Sequence, residues 1–255
     1  MAPPDLIVIG GSAGGLKAMR SILETFDIRD SAVCVVLHRP PDPSPLVEVL
    51  QTYTGFPVSE PADSPSVCTP GTVTVAPAGY HLLVGRGRSL SEQPHTSVAP
   101  YVTVAGVRAH LTLDAPVAYS RPSIDAAFMS AADFGESAIA VLLSCANEDG
   151  AAGCAAVKAA GGRVVLQDPA SCEAPVAVEA ALRAVTPDHV ADPGGIGAWL
   201  ILWIYHRLKG RDRRRARIGR VPDVTMLGFH IPGEEQEDGV PLWRGALPFL
   251  GLPHT

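Results

Sequence analysis

Leu6-Ile7-Val8-Ile9-Gly10-Gly11-Ser12-Ala13-Gly14-Gly15-Leu16 is the stretch that decides the fold. Four aliphatic residues in a row, bounded by Asp5 and a glycine pair, suit a strand buried on both faces, since a strand with one wet face alternates instead. After the glycine turn, Leu16, Met19, Ile22, Leu23 and Phe26 recur at helical spacing. Strand, tight turn and helix together open a parallel α/β unit. The pattern repeats outward. Ala32 to Leu37 is a second buried run, and Leu46, Val49, Leu50 and Tyr53 mark a second helix. Farther along, the spacing predicts a helix from Ser123 to Phe134 with Ser123 as its N-cap, and a strand from Ala138 to Leu143. A helix from Gly150 to Ala160, a strand from Val164 to Gln167 and a helix from Val176 to Ala184 follow. A helix from about Gly197 to Leu208 closes the series. Between Pro57 and Leu113 the runs are short and alternating (Val73 to Val75, His81 to Val84, Tyr101 to Val104, His110 to Leu113), and read as antiparallel hairpins. The expected fold is α/β: a doubly wound, mostly parallel sheet with helices on both faces and an antiparallel hairpin insertion.

The chain has 255 residues, 47% hydrophobic and 18% charged, which excludes wholesale disorder. Twenty basic and 26 acidic residues give a net charge of −6, so the chain as a whole is no cationic nucleic-acid binder. One run departs from that average: Arg207 to Arg220 holds eight basic residues and one acid, Asp212, leaving 12 basic and 25 acidic residues elsewhere. It reads first as a solvated segment, then as an attraction for an acidic partner, then as a weak membrane contact. The preceding helix is apolar all round, which favours burial over an interfacial face. Five cysteines without a C-x-x-C pair point to buried thiols in a reducing compartment, not to a zinc site or disulfide frame. The N-terminus lacks a signal peptide's basic region, and no run reaches membrane-spanning length, so a cytoplasmic protein is expected.

Gly10, Ser12 and Gly14 satisfy G-x-S-x-G with a strand before and a helix after. A serine there stands at the C-terminal edge of the sheet, beside unpaired helix N–H groups that suit a developing oxyanion. The rival is a phosphate loop, but Ser12 replaces the second glycine of G-x-G-x-x-G, and the second strand ends in His38, not in an acid for a ribose. His38 falls on the same rim and is the candidate base; His81 and His110 are weaker candidates, and His95, His189, His230 and His254 read as bystanders. Asp149, just ahead of a helix, is the candidate partner for the base, with helix capping as its plain alternative and Glu148 as its nearest rival.

These residues, together with Val36-Leu37-His38-Arg39-Pro40, Ala76-Pro77-Ala78-Gly79-Tyr80-His81-Leu82, Arg121-Pro122-Ser123-Ile124-Asp125 and Asp149-Gly150-Ala151-Ala152-Gly153, resemble the catalytic domain of the CheB family of chemotaxis protein-glutamate methylesterases. The resemblance runs from about residue 5 to 195. It implies Ser12 as nucleophile, His38 as base and Asp149 as its partner, with backbone amides of Ala13 and Ala146 holding the oxyanion. It further implies hydrolysis of glutamate γ-methyl esters, with glutamine deamidation as a second activity, on a methylated chemoreceptor or related signalling protein. No cofactor, metal or nucleic acid is expected, and membrane contact only indirectly. The expected organisation is a catalytic domain over 1–195, and over 196–255 a C-terminal helix, basic segment and poorly specified tail. With the nucleophile strand beginning at Leu6, the family's usual receiver domain has no room ahead of it, so a separate receiver or regulatory protein is an expected partner. Two departures stand out. Ser144-Cys145-Ala146-Asn147 replaces the family's Thr-Gly-Met-Gly, and Glu173-Ala174-Pro175 replaces Gly-Met-Pro. If either lost glycine needed positive φ, the Ala146 amide would be misaimed. This keeps a second reading open, a non-catalytic signalling or binding module with a degenerate oxyanion loop; a relaxed small-molecule esterase is a third.

Overall fold

The computed structural model describes residues 5–42, 44–87 and 106–212. The opening stretch forms β1 (Asp5–Gly11) and α1 (Gly15–Leu23), followed by β2 (Ser31–Leu37) and α2 (Leu46–Gln51). Short strands β3 (Val58–Ser59), β4 (Ser66–Cys68) and β5 (Val73–Val75) lead to β6 (His81–Arg86) and β7 (Val107–Thr112). The α/β rhythm then returns with α3 (Ile124–Ala131), β8 (Ala138–Leu142), α4 (Ala151–Ala159) and β9 (Arg163–Gln167). α5 (Val176–Ala184), β10 (His189–Ala191) and α6 (Pro193–Asp212) complete it.

Seven strands form one parallel sheet in the order β10-β9-β8-β1-β2-β5-β3. The chain builds outward from β1 through β2, then returns to the other edge of β1 with β8. The carboxyl ends of these three strands therefore share one rim at the switch point, where a doubly wound sheet opens a crevice. Alternate residues explain the unbroken apolar runs. Leu6, Val8, Cys34 and Val36 pack with Ile124, Phe128, Val157 and Ala181 on one face. Ile7, Ile9, Val33 and Val35 pack with Met19, Ile22, Leu50 and Trp199 on the other. Burying each such large side chain contributes about 1.5–3 kcal/mol.

The structure corrects several boundaries. Val73–Val75, expected in an antiparallel hairpin, is β5, parallel to β2 and β3 in the main sheet. The antiparallel part is a separate sheet in the order β4-β7-β6. The expected strand from Tyr101 to Val104 lies outside the described residues, as does the chain from residue 213 on, with most of the basic run and the tail. The helix from Ser123 ends at Ala131 and continues as a 3₁₀ turn kinked at Gly135, where φ is 51°. The last helix starts at Pro193, not Gly197. Asp192 Oδ1 accepts the Gly195 N–H at 2.8 Å and its carbonyl accepts that of Ile196 at 2.9 Å, while a proline in the first turn forfeits no helical bond. Gly197 lets α6 lie against α1, since a Cβ there would stand 2.5 Å from Thr25 Oγ1. Ile196, Trp199 and Leu200 are fully buried, and among the described residues no helix is long and apolar enough to cross a membrane.

Candidate active site

The glycine turn carries Ser12 from the end of β1 to the start of α1. The Ser12 amide donates to the Ser144 carbonyl at 2.9 Å, which seats the residue between the ends of β1 and β8. Gly14 makes the turn with φ 77°, and a Cβ there would lie 2.6 Å from Cβ of Glu173. His38 follows β2 directly, its amide donating to the Gly11 carbonyl at 3.1 Å. Ser12 and His38 thus occupy adjacent strand ends and line one cleft of about 570 Å³ with Tyr119, Ser120, Arg121 and Asn147. The Ser12 hydroxyl makes no hydrogen bond among the described residues, so no direct Ser12–His38 bond exists in this state.

Asp149 lies at the third strand end and accepts His38 Nε2 at 2.7 Å. It also accepts the Ser123 hydroxyl at 2.9 Å and the backbone N–H groups of Ile124 and Asp125 at 2.7 and 2.9 Å. Capping does occur, but of α3; the following helix α4 is capped by Gly150 with no side-chain bond. Burial pushes the Asp149 carboxyl up, yet His38, the two amides and Ser123 outweigh it and hold it below its ordinary value. Burial pulls His38 down, but Asp149 and Cys145 outweigh that and raise it to about 9. With Nε2 taken by Asp149, Nδ1 is the nitrogen left for the cleft. Glu148, the neighbouring carboxylate, is exposed and faces Arg183 at 3.2 Å.

The two amides expected at the oxyanion are unpaired among the described residues. The Ser12 carbonyl accepts from Gly15 N at 2.8 Å, so the N–H of Ala13, on the opposite side of the same planar peptide, points away from the turn. Likewise the Cys145 carbonyl accepts from Ala177 N at 3.3 Å, turning the Ala146 N–H outward. Neither Cys145 nor Asn147 has positive φ, so replacing the glycines introduces no backbone strain there. Ser144 braces the loop, its hydroxyl donating to the Ala13 carbonyl at 2.6 Å while accepting Ala174 N at 2.9 Å. Asn147 adds a contact no glycine could make: Nδ2 donates to the Ala118 carbonyl at 3.0 Å.

His81 is buried as a structural histidine, accepting Ser123 N at Nδ1 and facing the Ala115 carbonyl with Nε2, both at 3.2 Å. His110 sits on β7 away from the cleft, and His189 stacks on Trp199. His95, His230 and His254 lie outside the described residues. A larger cleft of about 780 Å³ opens where α1 and α2 end, at the opposite edge of the sheet; it holds no histidine or cysteine, and its Asp27 and Arg29 pair with each other. Among the described residues no group of three or more His, Cys, Asp or Glu could hold a metal. Sequence reasoning passed over Ser120 and met Asn147 only as a replaced glycine. Ser120 Oγ stands 3.2 Å from His38 Nδ1, a contact between residues 82 apart that no local pattern announces.

The family model described as CheB methylesterase matches residues 7–200. A putative protein-glutamate methylesterase/protein-glutamine glutaminase of Leptospira interrogans is 30% identical over 189 residues, covering 73% of this chain and 88% of that protein. A protein-glutamate methylesterase/protein-glutamine glutaminase of Bordetella parapertussis is 36% identical over 170 residues, covering 66% of this chain and 44% of that protein, so the chain spans less than half its length. The crystal structure of the Thermotoga maritima CheB methylesterase catalytic domain superposes with TM-score 0.67 at 25% identity, covering 78% of this chain and 98% of that one.

Proposed function

The chain belongs to the CheB methylesterase family, and from that premise we propose that it is a serine esterase hydrolysing glutamate γ-methyl esters on a chemoreceptor-type signalling protein. Ser12 Oγ attacks the ester carbonyl and His38 Nδ1 takes its proton, while Asp149 holds Nε2 and stabilises the imidazolium. The N–H groups of Ala13 and Ala146 receive the oxyanion. Collapse of the tetrahedral adduct expels methoxide, which leaves as methanol with the proton from His38. Water, deprotonated by His38, then releases the glutamate carboxylate and restores Ser12. With glutamine as substrate, ammonia leaves in place of methanol.

The observation that carries this reading is the His38 Nε2–Asp149 contact at 2.7 Å, which leaves Nδ1 for the cleft that Ser12 lines. In the same reading the catalytic unit does not stop at 195 but takes in the first turns of α6, whose Ile196, Trp199 and Leu200 lie in its core, and a separate receiver or regulatory protein supplies control. A cytoplasmic setting accords with five unpaired cysteines. The test is methanol release from a methylated receptor fragment by wild type and Ser12→Ala, with phosphonate labelling read by peptide mass. Release that vanishes in the variant, with label on Ser12 alone, is expected. Label on another serine, or full activity in the variant, overturns the assignment. Receptor binding without hydrolysis of any ester would favour the binding module.

A further inference from the structure

His38 has one ring nitrogen left for the nucleophile, and that nitrogen already has a neighbour. We propose that Ser120 is a positioning residue for the base: once the ring is neutral its hydroxyl donates to His38 Nδ1, 3.2 Å away, and supports the Nε2–H tautomer set by Asp149 with the Nδ1 lone pair facing the cleft. The proposal rests on the reading of Ser12, His38 and Asp149 given above.

The direction of donation follows from the neighbours. Asn147 Oδ1 accepts Asp149 N at 3.2 Å and the Cys145 thiol at 3.1 Å, which fixes the amide so that Nδ2 is its donor. Nδ2 donates to the Ala118 carbonyl at 3.0 Å and reaches Ser120 Oγ at 3.5 Å, leaving the hydroxyl proton free to point elsewhere. Its nearest acceptor is Nδ1; the Ala118 carbonyl is farther, at 3.5 Å, and already occupied. Cys145 lies 3.8 Å from Nδ1, but its proton has the nearer Asn147 oxygen.

The scaffold under Ser120 is strained. Val117 and Ser120 pair in both directions, at 3.1 and 2.8 Å, around Ala118 and Tyr119 with φ 46° and 64°. Among the described residues these are the only non-glycines at positive φ. Such strain persists where surrounding contacts over-determine it, and here it aims a side chain at the base. Asn147, in the loop that carries the Ala146 amide, ties this turn to the oxyanion donor. One asparagine thus links both halves of the catalytic geometry.

A change at Ser120 leaves the other charged and titratable groups around His38 in place. Asp149 and Cys145 come from the loop after β8, with Asp125 behind Asp149 at the start of α3. Arg39 is engaged by Glu60 and the Ala76 carbonyl, and Arg121 by the carbonyls of Leu113 and Asp114. A donor to Nδ1 favours the neutral imidazole, so its removal raises the pH at which His38 titrates.

The experiment compares full-length wild type, Ser120→Ala and Ser120→Thr by pH profiles of kcat/KM on a methylated receptor fragment and by ¹⁵N imidazole NMR of His38. Expected for the alanine variant is a kcat lowered about tenfold at little change in KM, the loss of one hydrogen bond being of that order. The acid limb of its profile and its His38 titration both move to higher pH, the ¹⁵N resonance of the unprotonated Nδ1 moves downfield as it loses its donor, and threonine restores all three. An unchanged His38 titration and Nδ1 resonance in Ser120→Ala, or no restoration by threonine, overturns the proposal. If wild type releases no methanol, the esterase reading fails, while the NMR comparison still decides the role of Ser120.

Discussion

Asp149 accepts hydrogen bonds from His38, from the Ser123 hydroxyl and from the first amides of α3, all with one buried carboxylate. The helix N-terminus and the imidazolium both favour its charged form, so the residue that orients the base also seals the helix. Asp149→Asn keeps the size but turns an amide N–H₂ towards one set of donors. A loss of about 10⁴ in kcat is expected for a base left in the wrong tautomer, and a loss of about 3–5 kcal/mol for a broken buried pair, read by urea unfolding. The pH signs of stability and catalysis oppose each other. His38 is raised to about 9, above its unfolded value of roughly 6.5, so its stabilisation is full below the unfolded value and is lost as pH rises through about 9. Asp149 is lowered, so its contribution is present above the unfolded carboxylate value and is lost as pH falls. Catalysis needs neutral His38, so kcat/KM rises with pH towards about 9 while the native state loses this part of its stability, a divergence that paired rate and unfolding measurements across pH 6 to 10 would display.

At the scale of elements, the turn from Val117 to Ser120 has the backbone of a two-residue type I′ turn without its sequence. Such turns favour Asn-Gly because both central residues take positive φ, yet this chain places Ala118 and a fully exposed Tyr119 there. Replacing Ala118-Tyr119 by Asn-Gly relieves the strain, offset in part by the entropy glycine adds to the unfolded chain. A net gain of roughly 1 kcal/mol, or about 2–4 °C in Tm, is expected in a thermal melt. A lower Tm would mean that Tyr119 is held by contacts worth more than its strain. The same turn shows what the sequence conceals. β1, β2 and β8 are legible because strands buried on both faces leave continuous apolar runs. Ser12 and His38 are legible because strand ends define the rim. Three-residue strands such as Val73–Val75 carry no mark of direction, and His189–Ala191 is too short to register as a strand at all. Ser120 and Asn147 act across 82 and 27 residues of sequence, through contacts made only after the sheet has assembled.

Across the whole molecule, chemistry and cohesion are kept at different ends of the sheet. The carboxyl rim of β1, β2 and β8 carries Ser12, His38 and Asp149, while α6 covers the opposite face and runs towards the far edge, against α1. Two glycines mark these two roles. A Cβ on Gly197 would stand 2.5 Å from Thr25 Oγ1, near the end of α1 and remote from the rim. A Cβ on Gly10 would stand 2.3 Å from Cγ2 of Ile124, which is fully buried and cannot swing aside. Ile124 is no bystander, because its amide is one of the donors that fix Asp149, at 2.7 Å. Each glycine-to-alanine change overpacks the interior and is expected to cost about 1–3 kcal/mol, but only one reaches the base. Gly197→Ala should lower Tm and leave kcat/KM within about twofold, an activation-energy change smaller than one weak hydrogen bond. Gly10→Ala should lower Tm comparably and also reduce kcat, because α3 and Asp149 shift together and His38 loses its bearing. Equal kinetic losses in the two variants would mean that the strands pass strain from one edge of the sheet to the other, and that the rim is not mechanically independent of the helix that seals the opposite face.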